Sequence, residues 1–184
     1  MAKSTAKLQN QTIYKVFTAL AFAVGLMLAA ISGLAWWTHS FAGNMVRSEL
    51  GAQKIYFPEA GSPGFSAEEY PDIQQYAGQL VDDGEKARAY ANGYIKRHLA
   101  KVADGKTYSE VSTASMKDPS NETLQKQKQT LFQGETLRGM LLGNGYAFGT
   151  ISRVAQIAAV VALAASAVAF IMAWLFARQV FKLN

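Results

Sequence analysis

Two stretches of the chain carry no charge. The first runs for 22 residues from Val16 to Trp37 and the second for 24 from Val154 to Ala177, bracketed by Arg153 and Arg178. At 1.5 Å per residue the shorter one reaches roughly 33 Å, enough for a hydrocarbon core of about 30 Å, so both read as spanning helices. Trp36, Trp37 and Trp174 lie towards the ends of these runs, where amphipathic rings favour the headgroup region.

Between the runs the pattern changes. Gly51 to Pro71 holds Pro58, Gly61, Pro63, Gly64 and Pro71, a density that predicts a long ordered or partner-held loop. Ile73, Tyr76, Ala77 and Leu80 then suit a short amphipathic helix, with Pro71 near its first turn. Asp82, Asp83 and Glu85 open a longer one, in which Ala87, Tyr90, Ala91, Tyr94, Ile95, His98, Leu99 and Val102 recur at three- and four-residue intervals before Gly105. Its polar face carries Lys86, Arg88, Lys96, Arg97 and Lys101. Thr107 with Glu110 forms a capping-box pattern, and Asp118 with Pro119 reads as the start of a further helix reaching about Leu142. Gly143 and Gly145 are expected to break the chain before the second run. No strand pattern of any length is visible. The fold class expected is therefore an all-α membrane protein, two transmembrane helices flanking a small extracytoplasmic helical domain with a long Gly/Pro loop.

Charge sets the orientation. All 13 acidic residues lie between the two runs, with 13 of the 18 basic ones. The surplus is Lys3, Lys7 and Lys15 before the first run, with Arg178 and Lys182 after the second, which by the positive-inside rule places both ends in the cytoplasm. The expected layout is a cytoplasmic tail over 1–15, spans over 16–37 and 153–177, an extracytoplasmic domain over 38–152, and a second tail over 178–184. Ser40, Phe41 and Ala42 resemble a signal-peptide cleavage site, but the apolar run exceeds the about 7–15 residues of such a core. Arg153, on the outer flank, is placed against lipid phosphate or a partner.

Candidate chemistry is sparse. With no cysteine, thiolate metal sites and disulfides are excluded, and His39 and His98 are the only imidazoles. His98 falls on the apolar face of the longest outer helix, where a core histidine is the simpler reading, and an iron site needs two histidines and a carboxylate on one face. There is no glycine-rich phosphate loop and no nucleophile with plausible partners. Catalytic, cofactor and metal residues are therefore expected to be absent. What the chain does carry is small residues at helical spacing: Ala21, Gly25, Ala29 and Gly33 in the first span, with Ala158, Ala162, Ala165, Ala169 and Ala173 in the second. Such stripes let helices approach closely in lipid, either with each other or against a larger membrane protein. Tyr56, Phe57, Phe65 and Tyr70 in the loop, with Arg153, are the candidate partner-binding groups; the rings either plug their own domain or dock on another surface. The basic helix face suits acidic lipid or protein, or plain solvent.

Five stretches carry a family resemblance: Ala52 to Pro58 (AQKIYFP), Tyr76 to Gln79 with Val81 to Gly84 (YAGQ, VDDG), Ala89 to Asn92 (AYAN), Val102 to Val111 (VADGKTYSEV) and Gln127 to Gly139 (QKQTLFQGETLRG). They resemble a family of small two-span actinobacterial membrane proteins, over nearly all of the outer domain and including the flanking spans. The chain looks like the accessory subunit found with the cytochrome bcc and cytochrome oxidase supercomplex. The resemblance implies an assembly or stabilising role, partners among the larger integral respiratory subunits as well as membrane lipid, and haem and copper in those partners only. It implies no nucleic acid and no small-molecule substrate. Some relatives carry a ring-opening dioxygenase label, which two histidines so far apart argue against. An envelope sensor or adaptor binding a peptide or lipid is the alternative; tails of about 15 and 7 residues leave it without an output domain.

Overall fold

The computed structural model describes residues 2–182, with side chains from Gln9 onward, so the side chains of Lys3 and Lys7 lie outside the described residues. Apart from one isolated bridge, the regular elements among the described residues are all helical. Helix α1 (Ala2–Ala52) is followed by a single 3₁₀ turn (Gln74–Tyr76), α2 (Gly84–Arg88), a π-helical segment π1 (Ala89–Ile95), α3 (Lys96–Val102), α4 (Tyr108–Lys117), α5 (Glu122–Met140), a second π-helical segment π2 (Leu141–Tyr146) and α6 (Ala147–Lys182). Two helices are long and apolar enough to cross a membrane. By contact density the chain forms two compact units, Met1–Ser40 with Ser152–Asn184, and Phe41–Ile151.

The first unit is an antiparallel pair made by α1 and α6. Only 11% and 22% of their most apolar windows is covered by protein. Phe17, Leu20, Leu26, Met27 and Leu34 on α1, with Val154, Ile157, Val161, Leu163 and Ile171 on α6, are at least half open or close to it. In a water-soluble helix these would be the core-facing residues.

The second unit has its own core, built from Phe57, Phe65, Tyr70, Ile73, Val81, Ala87, Ala91, Ile95, Leu99, Val111, Leu131 and Leu141. Local rules place its elements. Asp83 caps α2 by accepting the Lys86 amide, and Thr107 and Glu110 form the reciprocal capping box of α4. Three expectations are corrected. The helix read through Leu80 shrinks to one 3₁₀ turn because Gly78 takes φ +68°, which ends it. The chain then pairs Tyr56 with Leu80 in an isolated antiparallel bridge, the Phe57 amide donating to Gln79 O at 2.9 Å and the Val81 amide to Ile55 O at 2.8 Å. Asp118 ends α4 instead of starting α5. Asn121 is the cap, accepting the Leu124 amide at 3.1 Å.

The third correction concerns Gly143 and Gly145, which do not break the chain: α5, π2 and α6 run on as one helix from Glu122 to Lys182. Close packing explains the glycine at 145. A Cβ there would lie 2.6 Å from Cβ of Ala87 and 2.9 Å from Cδ1 of Leu50. One turn further, a Cβ on Gly149 would lie 2.7 Å from the backbone Cα of Gly84. The wide π turn keeps the helix intact while bringing this face against α2, so the glycines serve contact and not termination.

Candidate interaction surfaces

Within the helical pair, the buried side of α1 follows Ala21, Gly25, Leu28, Ser32, Ala35 and His39, and that of α6 follows Ser152, Ala155, Ala159, Ala162, Ser166, Ala169 and Ala173. Steps of three and four alternate. That is a seven-residue repeat, which slips only about 20° per heptad on a straight helix and is taken up by slight supercoiling. A stripe of constant four-residue steps turns about 40° per step and leaves the contact face within three steps. This is why the α1 stripe is only partly used; the α6 stripe, with steps of four, three, four and four, includes Ala158 and Ala165, each one position beside a seam residue, Ala159 or Ser166. Ala21, Gly25, Ala162, Ala169 and Ala173 lie on the seam and Ala29 borders it, whereas Gly33, Ala158 and Ala165 face outward. No atom stands within 4 Å of a Cβ built on Gly33, while one built on Gly25 would lie 2.8 Å from Cε1 of Phe170.

Polar atoms cross the seam once per heptad. Ser166 Oγ donates to Gly25 O at 2.8 Å, Ser32 Oγ to Ala159 O at 2.9 Å, and Ser152 Oγ to His39 O at 2.9 Å. His39 Nδ1 lies 3.0 Å from both Ser152 O and Ser152 Oγ, and its ring meets Trp36 edge-on at 5.3 Å. The residues flanking each rung are small enough for a side-chain hydroxyl to reach the facing backbone. Each such bond is worth about 0.6 kcal/mol in lipid, and at most about 1.7. Sequence reading missed Ser32, Ser152, Ser166 and His39 as seam residues. Their signal was the spacing of seven shared by Gly25, Ser32 and His39 in one span and by Ser152, Ala159, Ser166 and Ala173 in the other.

The seam has a consequence for docking. The seam residues of the two small-residue stripes are covered by the facing helix, while Gly33, Ala158 and Ala165 stay open.

In the second unit, three of the four loop aromatics are corrected from docking groups to core. Phe57, Phe65 and Tyr70 are 2%, 0% and 1% exposed, whereas Tyr56 is 54% exposed. Phe57 stacks on Tyr76 at 5.3 Å and meets Tyr90 edge-on at 5.0 Å. Phe65 stacks on Tyr70 at 5.3 Å and meets Tyr94 at 5.7 Å. The loop is thus stapled to π1 by rings spaced a helical turn apart. Burial pushes the Tyr90 and Tyr94 hydroxyls above the ordinary phenol range, the neighbouring tyrosines adding to it.

Charge fixes the loop's far end. Arg97 donates to both carboxylate oxygens of Asp72 at 2.8 and 2.9 Å and to Glu69 O at 3.2 Å, and Lys101 donates to Glu69 Oε2 at 2.6 Å. Both cations also lie over the Tyr70 ring, at 5.6 and 5.5 Å. The Arg97 bond holds the Asp72 carboxyl below its usual range, and the same bond raises Arg97. At Lys86, burial pulls the ammonium down, but its bonds to Asp82 and attraction to Asp83 outweigh it and the net shift is upward. Most of the basic face read from the sequence is therefore engaged within the unit: Lys86 with Asp82, Arg88 over Tyr146 at 5.2 Å, and Arg97 and Lys101 on the loop.

His98 is exposed, its ring stacked on Tyr94 at 6.3 Å, so the core placement expected for it is corrected: the ring leans on the aromatic cluster from outside. Arg153 is exposed and stands one position after Ser152. Among the described residues no group of three or more His, Asp and Glu side chains is placed to hold a metal ion. An exposed apolar pair, Tyr108 and Phe132, packs ring to ring at 5.8 Å on α4 and α5. Comparison with protein-family models, with curated proteins and with solved structures finds no match to this chain.

Proposed function

We propose that this chain is a non-catalytic accessory subunit of an actinobacterial cytochrome bcc–cytochrome oxidase supercomplex. It would cross the membrane twice with both ends in the cytoplasm and hold its second unit on the outer side. The observation that carries the membrane reading is the helical pair itself. It closes its own polar and small-residue seam yet leaves large aliphatic side chains open around its circumference, a surface that calls for lipid or other membrane helices. The assignment to a respiratory complex rests on the sequence resemblance over 52–58, 76–84, 89–92, 102–111 and 127–139.

The role that fits is bracing. Outward apolar faces of α1 and α6 pack against larger integral subunits, while the second unit, whose aromatic loop is locked inward, offers a rigid surface on the outer side. Tyr56, the Tyr108–Phe132 pair and Arg153 are the exposed groups that would make these contacts. Haem and copper belong to the partners, and the subunit contributes geometry. Purifying the oxidase in mild detergent tests this: the chain should travel with the complex, and its deletion should loosen the association of the two enzymes. Recovery of the chain as a free monomer, with the supercomplex unaffected by its loss, contradicts the proposal.

A further inference from the structure

An open groove of about 390 Å³ lies between α1 and α6 at the end of the pair that carries the chain termini, lined among others by Lys15, Ala19 and Phe22 on α1 and by Ala177 and Phe181 on α6. Its walls are almost entirely apolar, Lys15 and Thr18 being the polar residues that line it, and the Thr18 hydroxyl already donates to Tyr14 O at 2.7 Å. Phe181 is 76% exposed, and Phe22, packed edge-on against Phe170 at 5.5 Å, is still 52% exposed, so both rings border the groove largely open. Arg178 and Lys182 neighbour the groove residues in the chain, and the Arg178 guanidinium lies 4.7 Å over the Trp174 ring. Every carboxylate side chain of the protein lies between Glu49 and Glu135, in the other unit. The groove thus joins a hydrocarbon wall to Lys15, with Arg178 and Lys182 next to its lining residues in the chain and no carboxylate side chain in its own unit.

We propose that this groove seats one acyl chain of an anionic phospholipid of the cytoplasmic leaflet, with the phosphate on Lys15 and Arg178. The inference rests on the two-pass reading above, which brings this end of the pair to the inner headgroup level. The apolar walls select a lipid tail over a soluble anion. With no carboxylate side chain in this unit, Lys15 and Arg178 select an anionic headgroup over a zwitterionic one, whose own ammonium would meet them. Trp174 and its stacked guanidinium mark the depth at which the headgroup would sit.

Native mass spectrometry of the full chain in detergent, with added phosphatidylglycerol or phosphatidylcholine of identical acyl chains, tests the seat. The wild type should retain phosphatidylglycerol in preference to phosphatidylcholine. Lys15→Gln should weaken that retention about five-fold, the worth of one basic residue near an anionic surface. Ala177→Trp, which fills the groove and leaves the charge alone, should lower retention of both lipids. Lys96→Gln in the other unit should leave it unchanged. Equal retention of the two lipids by the wild type, or retention untouched by both Lys15→Gln and Ala177→Trp, overturns the seat. Co-purification of the same variants with the oxidase reads the parent proposal separately, since a chain that holds its lipid yet never meets the oxidase fails only the latter.

Discussion

Replacing Phe65 with alanine distinguishes a loop that plugs its own unit from one that waits for a partner. The ring is fully buried and touches Tyr70, Tyr94 and Phe57 at centroid distances of 5.3, 5.7 and 6.4 Å. Truncating a buried phenylalanine costs about 3–5 kcal/mol, from lost burial and the cavity left behind. Tyr56, one position from Phe57 but 54% exposed, should cost within about 0.5 kcal/mol when truncated. Hydrogen exchange on the full chain in detergent reads the difference at the Phe57 and Val81 amides, which close the short bridge to Gln79 and Ile55. Phe65→Ala should speed their exchange by roughly two to four orders of magnitude, as these amides open with the unit, and Tyr56→Ala should leave it nearly unchanged. Unaltered protection in Phe65→Ala, together with lost association with a partner, would return the ring to the surface and refute the argument.

Other consequences are equally direct. Gly149→Ala places a methyl against the Gly84 backbone, which has no flexible side chain to yield; an overpacking cost of about 1–3 kcal/mol should appear as a lower thermal midpoint of the second unit. In the helical pair, Gly25→Leu should drive α1 and α6 apart, as read by crosslinking between engineered cysteines, while Gly33→Leu should leave the crosslink intact. Removing two rungs together in Ser32→Ala with Ser166→Ala should cost about 1 kcal/mol, seen as a modest loss of thermal stability in detergent. Acid should undock the loop's far end. Asp72 is held below its unfolded value of about 3.9, so its stabilising contribution is present above that pH and is lost as the pH falls through the lower folded value. The pair is about half exposed, so solvent screening keeps the effect small. Proteolysis near Glu69 should accelerate below about pH 4, and Asp72→Asn should remove most of that pH dependence.

The parts of this fold legible in the sequence are those set by local chemistry. Charge-free runs mark α1 and α6, and the Thr107–Glu110 pair marks the start of α4. What escaped depends on partners distant in the chain. Gly145 reads as a breaker until Ala87 and Leu50 are seen against it, and Phe57 and Phe65 stay undecided between core and docking until Tyr90 and Tyr94 arrive from π1. The seam was half legible. Small residues were visible, but in α1 a four-residue period was read where the pair uses seven, and the serines were passed over because a hydroxyl gives no sign in sequence that it will reach a facing carbonyl. His98 is misplaced by the same periodicity argument, because the widened turn of π1 shifts every later residue around the helix.

The proposed bracing role requires the chain to cross the membrane as a hairpin. Because the protein has no cysteine of its own, single cysteines at Met116, which is 68% exposed, and at Gln179 near the end of α6 can be probed in intact cells with a membrane-impermeant maleimide. Met116→Cys should label in intact cells, and Gln179→Cys only after the membrane is opened. Protection of Met116→Cys until lysis, or release of the chain from membranes into alkaline carbonate, would contradict it.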